Sequence, residues 1–444
     1  MNRKQLSISI IGAGLAGVEA ANQVTRFGIR ATLYEMRPDK KTAAHKTSGL
    51  AELVCSNSLK SASMENASGI LKEEMRCLGS LVIEAAEASR VPAGKALAVD
   101  REIFSDYITR KIQTNELIDL RREEVTKIPE DGVVIVATGP LTSDALCAEI
   151  SSLTESEYLY FYDAISPIID ADTIDRSKTF RGSRYDRGDS GEGDYLNCPL
   201  SEDRYYELVD DLVRGEKVET REFEKALYFQ SCMPVEVMCE RGRETLRFGP
   251  LKPVGLVDPK TGKTPFAVLQ LRTENNEETM YNMVGFQTKL RYPQQRTVFR
   301  KIPGLEEAEF LRYGSVHRNT YIDSPRLLEK DLSLRSRPDV FFAGQITGVE
   351  GYVESAATGI VCGINASRKA LGLEPVPVPR ETSIGSLLEY ISVPGKSGFQ
   401  PMNINFGLFP RVEGRMGKEK KRQIIAQRAI ESIRAYNSFH CLSA

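Results

Sequence analysis

Two kinds of residue in this 444-residue chain are spaced to do chemistry: glycines that open a backbone cradle, and cysteines in polar surroundings. The apolar residues Leu6, Ile8, Ile10 and Ile11 read as a buried parallel strand that runs into Gly12, Gly14 and Gly17, then into a helix over 18–27. Such glycines serve a tight turn, the approach of backbone to a diphosphate and close helix–strand packing, with the diphosphate on the positive helix start. Gly28 stops the helix, residues 29–35 form a second strand, and Glu35 falls where a carboxylate accepts from a ribose hydroxyl. Strand, turn, helix, strand and acid in register imply an adenine dinucleotide.

The thiols come next. Cys232 precedes Pro234, a favoured first helical residue, and Gly242 is a natural stop, so a short helix is expected between them. That helix start, with Arg241, Arg243 and Arg247 nearby, lowers a thiol's pKa and enriches the thiolate. A buried core cysteine is the commoner fate of such a residue, and both readings stay open at this level. Cys55, followed by Ser56, Asn57 and Ser58, stands in a loop too polar for core filling. His317 reads first as a satisfied structural histidine, with a substrate role left open by its polar neighbours.

These residues need elements to position them. The periodicity predicts one helix over 69–89, another over 102–112 and a strand over 123–128. A buried strand over 132–136 ends in Ala137, Thr138 and Gly139, the second signature of two-dinucleotide-binding flavoproteins. A third piece is the strand ending in Gly344 and Gln345, followed by a helix with small residues at Ala356, Ala357, Gly359 and Gly363 that closes over the flavin. Many flavoproteins end that strand in Gly-Asp, and here it is Gly-Gln. The three pieces favour FAD over NAD as resident cofactor. Between them the alternating stretches at 264–272 and 279–288 look antiparallel. The fold expected is α/β: an FAD-binding Rossmann-like domain of the glutathione-reductase type (1–199 and 316–444) with an inserted α+β domain (200–315). A stiff Pro-rich connector over 374–379 and helices over 383–391 and 418–435 finish the chain.

Composition bounds the class. With 41% hydrophobic and 27% charged residues the chain reads as a globular protein, and no run is long enough for a membrane span. The first residues lead straight into a core strand, which fits no signal peptide. Eight scattered cysteines without a C-x-x-C pair and three histidines argue against structural zinc and against a disulfide framework. A reduced, cytoplasmic enzyme without a metal site is expected. The net charge of −2 hides a segregation: residues 240–301 carry twelve Lys/Arg against six Asp/Glu, and 408–434 eight against three. Such basic segments on an acidic background suit a polyanion, and equally suit solvated helix faces.

Five blocks then carry a resemblance: Ile11-Gly-Ala-Gly-Leu-Ala-Gly17, Ala51-Glu-Leu-Val-Cys-Ser-Asn-Ser-Leu59, Cys232-Met-Pro-Val-Glu-Val-Met238, Val284-Gly-Phe-Gln-Thr288 and His317-Arg-Asn-Thr320. Together, over essentially the whole chain, they resemble the folate- and FAD-dependent tRNA (uracil-5-)-methyltransferases. The resemblance implies methylation of C5 of a T-loop uridine in tRNA. 5,10-methylenetetrahydrofolate would supply the carbon, and FAD reduced by NADPH or NADH the hydride. C5 of uracil is a poor nucleophile until a thiolate adds to C6, the role that the resemblance gives Cys232. Cys55 matches the family's second cysteine, beside the flavin. His317 and the glycine turn after Gln345, with Glu350, are implied where the folate stacks on the flavin, and the basic segments 240–301 and 408–434, with Arg241, Arg243 and Arg291, at the RNA phosphates. No DNA or membrane partner is implied. The rivals are the same chemistry on a ribosomal RNA uridine, an RNA-independent NAD(P)H flavin oxidoreductase, and a non-catalytic RNA-binding flavoprotein.

Overall fold

Six strands form the first sheet, and five of them run parallel. In a computed structural model that describes residues 5–42, 44–155, 159–164, 166–184, 193–218, 233–393, 399–414 and 416–440, this sheet has the order Ser333–Leu334, Arg337–Phe342, Val133–Val136, Ser7–Ile11, Arg30–Tyr34, Ile118–Arg121. All pairings are parallel except the first, an antiparallel edge. Parallel strands buried on both faces read as continuous apolar runs, and Val134, Ile135 and Val136 are fully buried. The outer strand is Ile118–Arg121 rather than the expected 123–128, because the pairing Ala31↔Ile118 to Tyr34↔Arg121 ends where the neighbouring strand ends.

The helix Leu15–Arg26 lies against Tyr352–Ala370, and small residues let the two approach. A Cβ on Gly359 would overlap the carbonyl oxygen of Ala16, and one on Gly363 would lie 2.7 Å from that of Ala20. The helix expected over 69–89 is two helices, Ala67–Cys77 and Leu81–Ala88. Gly79 takes φ +72°, and Ser80 caps the second helix by accepting from Ile83 N, so the apolar period continues through a break in the backbone. Buried Glu19 also serves that helix start, accepting from Ser80 Oγ, Leu81 N (3.1 Å) and Val82 N (2.9 Å). Burial raises the pKa of this carboxyl to about 7 against the lowering effect of these hydrogen bonds.

A second sheet has its own core, with Leu196, Leu269, Tyr281, Phe286 and Phe299 among its buried residues. Its order is Phe180–Arg181, Tyr195–Leu200, Ala267–Thr273, Met280–Met283, Ile168–Asp170, Phe310–Arg312, and every pairing is antiparallel. Its strands therefore begin at Ile168, upstream of residue 200. The chain passes towards this sheet along Leu159–Ala164 and returns along Val316–Tyr321, and these two strands pair with each other, His317 opposite Asp163. The last helix, Lys418–His440, buries Ile425, Ala429, Ile433 and Tyr436, and Asn437 Nδ2 donates to Cys77 O (2.8 Å). No helix among the described residues is long and apolar enough to cross a membrane.

Candidate active site

The carboxyl ends of the parallel strands open into a cleft with about 1070 Å³ of empty space, its mouth included. Three separated stretches of chain meet there: the turn Gly12–Gly14 with Glu35, the turn Ala137–Gly139, and Gly344–Gln345. Eight of the nine residues expected to hold a dinucleotide line it, and the ninth, Gly17, lies behind the turn. Each glycine has its own reason. A Cβ on Gly12 would lie 2.6 Å from the carbonyl oxygen of Ala137, and one on Gly17 would overlap that of Gly12. A Cβ on Gly14 would meet no protein atom within 4 Å, because it would point into the cleft. Gly14 also begins the helix Leu15–Arg26 without a side-chain cap, which leaves the helix start to an anion.

Glu35 is held by Arg37, which donates from Nε (2.8 Å), Nη2 (3.1 Å) and its backbone N (3.1 Å). Burial alone would raise this carboxyl's pKa, but the hydrogen bonds and charge of Arg37 outweigh it and hold the group below its ordinary range. Ala13 N donates to the same carboxylate (3.3 Å), tying it to the glycine turn. Arg37 also bonds Glu52 (3.1 Å) and is buried. His45, on the cleft wall, has Nδ1 2.6 Å from Thr42 Oγ1. Burial first, and then the charge of Arg37, lower its pKa to about 4, so it is neutral near pH 7. An open glycine, an uncapped helix start and an ionised acid at the ribose position together fit an adenine dinucleotide such as FAD.

At the other end of the cleft stands Tyr352, the first residue of its helix. Its hydroxyl oxygen accepts from Cys55 N (2.7 Å) and Ser56 N (3.2 Å) and lies 2.8 Å from Cys55 Sγ. Burial, and next the neighbouring Cys55, push the phenol far above its usual range, so Tyr352 keeps its proton. Cys55 is half-buried. Around it gather cations from both halves of the fold. Arg101 Nε meets Glu274 (2.6 Å), and Arg272 is buried with Nε on Asn57 Oδ1 (2.8 Å) and Nη2 on Ser56 Oγ (3.0 Å). Arg312 is lowered in pKa by burial and then by Arg101, and Lys46 by burial and then by Arg312.

The remaining expected residues are more dispersed. Cys232 lies outside the described residues. The helix after it is Val235–Arg241, with Pro234 at its cap and Gly242 at its end. Arg241 is exposed at its last turn, whereas Arg243 pairs with Asp210 (2.8 Å) and stacks over Tyr206. Arg291 is exposed at the start of Tyr292–Phe299. Glu350 is buried in the glycine turn, its N–H on Met402 O (2.8 Å). His317 sits on the strand that rejoins the cofactor half. Sequence reasoning missed Arg37, His45, Tyr352 and the Asn57–Arg272 pair. Tyr352 had a signal, since it follows Gly351 at the mouth of the third motif; Arg272 had none, being one basic residue among twelve.

A protein-family model described as glucose inhibited division protein A matches residues 7–374. The chain is 58% identical over 428 residues to the methylenetetrahydrofolate–tRNA-(uracil-5-)-methyltransferase TrmFO of Pelobacter propionicus, spanning 96% of this chain and 94% of that one. The protein of that name from Geobacter sulfurreducens is 57% identical, over 96% and 98%. That from Heliobacterium modesticaldum is also 57% identical, over 97% and 98%. Among solved structures, Aquifex aeolicus GidA in crystal form I superposes with TM-score 0.74 at 18% identity, over 98% of this chain and 76% of that one. At that identity the likeness speaks for the fold.

Proposed function

Since this chain belongs to the glucose inhibited division protein A family and, within it, to the methylenetetrahydrofolate–tRNA-(uracil-5-)-methyltransferases, we propose that it methylates C5 of a T-loop uridine in tRNA. The carbon comes from 5,10-methylenetetrahydrofolate, FAD is the resident cofactor, and NADPH or NADH is the reductant. The observation that carries this reading is a cleft lined by both the Gly14 cradle and Tyr352, whose hydroxyl oxygen lies 2.8 Å from Cys55 Sγ. Bound there by Gly12–Gly14, Glu35, Ala137–Gly139 and Gly344–Gln345, the flavin supplies the two-electron chemistry of the transfer.

The chain's own part is proposed as follows. The Cys232 thiolate adds to C6 of the uracil, placing electron density on C5, which then bonds the carbon. Loss of the C5 proton expels the carrier nitrogen and leaves an exocyclic methylene on the uracil; a hydride, which reduced flavin would supply, converts it to methyl as the C6–sulfur bond breaks and the ring is restored. Cys55, beside Tyr352, is assigned a guarding or a proton-transfer role at the flavin. Tyr352 stays protonated and orients Cys55 through the backbone of residues 55 and 56. His317 and Glu350 are assigned to the folate, and Arg241, Arg243, Arg291 and the basic helix Lys418–His440 to RNA phosphates.

The test supplies the protein with FAD, NADPH, methylenetetrahydrofolate labelled in its methylene carbon, and, in parallel reactions, unmodified tRNA or ribosomal RNA. Labelled 5-methyluridine in the T-loop supports the reading. Label only in ribosomal RNA moves the target, and a reducible flavin with neither RNA labelled overturns the methyltransferase. Cys232→Ala is expected to abolish the label while FAD stays bound; normal methylation by that variant refutes the nucleophile.

A further inference from the structure

Asn57 is fully buried, and its carboxamide bridges the two halves of the fold two residues from Cys55. Nδ2 donates to Val99 O on the cofactor side and to Thr273 O on the second sheet, both at 3.0 Å. Oδ1 accepts from Arg272 Nε, while Arg272 Nη2 reaches Ser56 Oγ. Tyr352 meets the same segment through the N–H groups of Cys55 and Ser56. Residues 55–57 are thus gripped from the cleft by Tyr352 and from the second sheet by Arg272 and Thr273.

The chemistry of the grip is selective. Two carbonyls need two N–H donors and one guanidinium needs an acceptor, a set that the Asn carboxamide supplies and that a hydroxyl, with its single donor, does not. Aspartate would set carboxylate oxygens against two carbonyls, and an apolar residue would strand all three partners. The planar fork of Arg272 fixes both its targets at once, so a shift of the second sheet carries Ser56 and Asn57 with it.

We propose that Asn57 and Arg272 are positioning residues, the joint through which the second sheet sets the Cys55 thiol against Tyr352. The docking of the two halves and the geometry of Cys55 are then one variable. The inference rests on the reading of Cys55 as part of the reacting site.

Asn57→Ala and Arg272→Lys test it in the FAD-loaded protein. Alkylation of Cys55 by iodoacetamide is followed by peptide mass spectrometry, with half-buried Cys77 and Cys147 as internal references. Cys55 labelling is expected to rise about tenfold relative to those references, and kcat for methyl transfer to fall about tenfold with KM for the folate unchanged and FAD content retained. Ser56→Ala, which removes only one Arg272 contact, moves both readings less in the same direction. A labelling ratio within about twofold of wild type in either folded variant overturns the joint. So does a loss of kcat that merely tracks lost FAD. Because alkylation needs no turnover, a wild-type protein that methylates nothing refutes the proposed function and leaves the labelling result standing as the test of the joint.

Discussion

The cofactor cleft and the Cys55 segment adjoin at Tyr352, yet they are built from different material. The cradle of the cleft is made of main chain: glycines without Cβ, a helix start and the ends of parallel strands. The Cys55 segment is made of side chains drawn from remote stretches, Asn57, Arg272 and Tyr352. A site of backbone tolerates change in side chains and fails when a Cβ appears. A site of side chains fails when one donor or acceptor is removed, with the fold intact.

Variants sharpen this contrast, beginning with the largest effect. Gly17→Ala forces a methyl group into the carbonyl of Gly12, and an overpacking cost of about 3 kcal/mol or more is expected. Thermal unfolding should show a large drop, with FAD lost alongside; an unchanged midpoint would mean that the helix shifts freely. Gly14→Ala separates fold from ligand, since its methyl meets no protein atom. The apoprotein midpoint should stay where it was while FAD affinity falls about tenfold or more, roughly 1.4 kcal/mol, by titration of the flavin absorbance. Equal loss of both would erase the distinction between the two glycines.

Tyr352→Phe removes the oxygen that accepts from Cys55 N and Ser56 N, which leaves two part-buried donors at a cost of about 1 kcal/mol, below that of fully buried ones. FAD content is expected to persist while methyl transfer slows; a variant that turns over normally would make Tyr352 a bystander. The last effect is absent at neutral pH and is seen only in acid. His45 titrates near 4 in the folded protein and near 6.5 when unfolded, so the stability it confers is whole above pH 6.5 and is lost as pH falls through 4. His45→Asn should flatten the acid limb of the unfolding midpoint across that window, and an unchanged slope would remove His45 from the account.

The same contrast explains what could be read in the sequence. The strand before Gly12, the turn and Glu35 are local, each fixed by neighbours within a few residues, and Ala137–Gly139 and Gly344–Gln345 repeat that logic. Local period misled where a backbone break preserves it, as at Gly79–Ser80, which divides one apolar pattern into two helices. It also misplaced the outer strand, because Ile118–Arg121 is selected by its partner Arg30–Tyr34 and not by its own apolar content. Arg272 was counted with a basic surface, yet a strand of the second sheet delivers it to Asn57, a pairing 215 residues apart in the chain. Charge segregation in a sequence does not say which cations reach water. Arg243 with Asp210, and Lys301 with Asp211, are likewise matched at home.

The paired strands Leu159–Ala164 and Val316–Tyr321 give the molecule a mechanical character. A single connecting strand is a swivel, free to spin about its bonds. Two strands laced by main-chain hydrogen bonds form a strap, which flexes across its flat face and resists torsion. A two-stranded connection of this kind would favour bending of one half towards the other over rotation about the link.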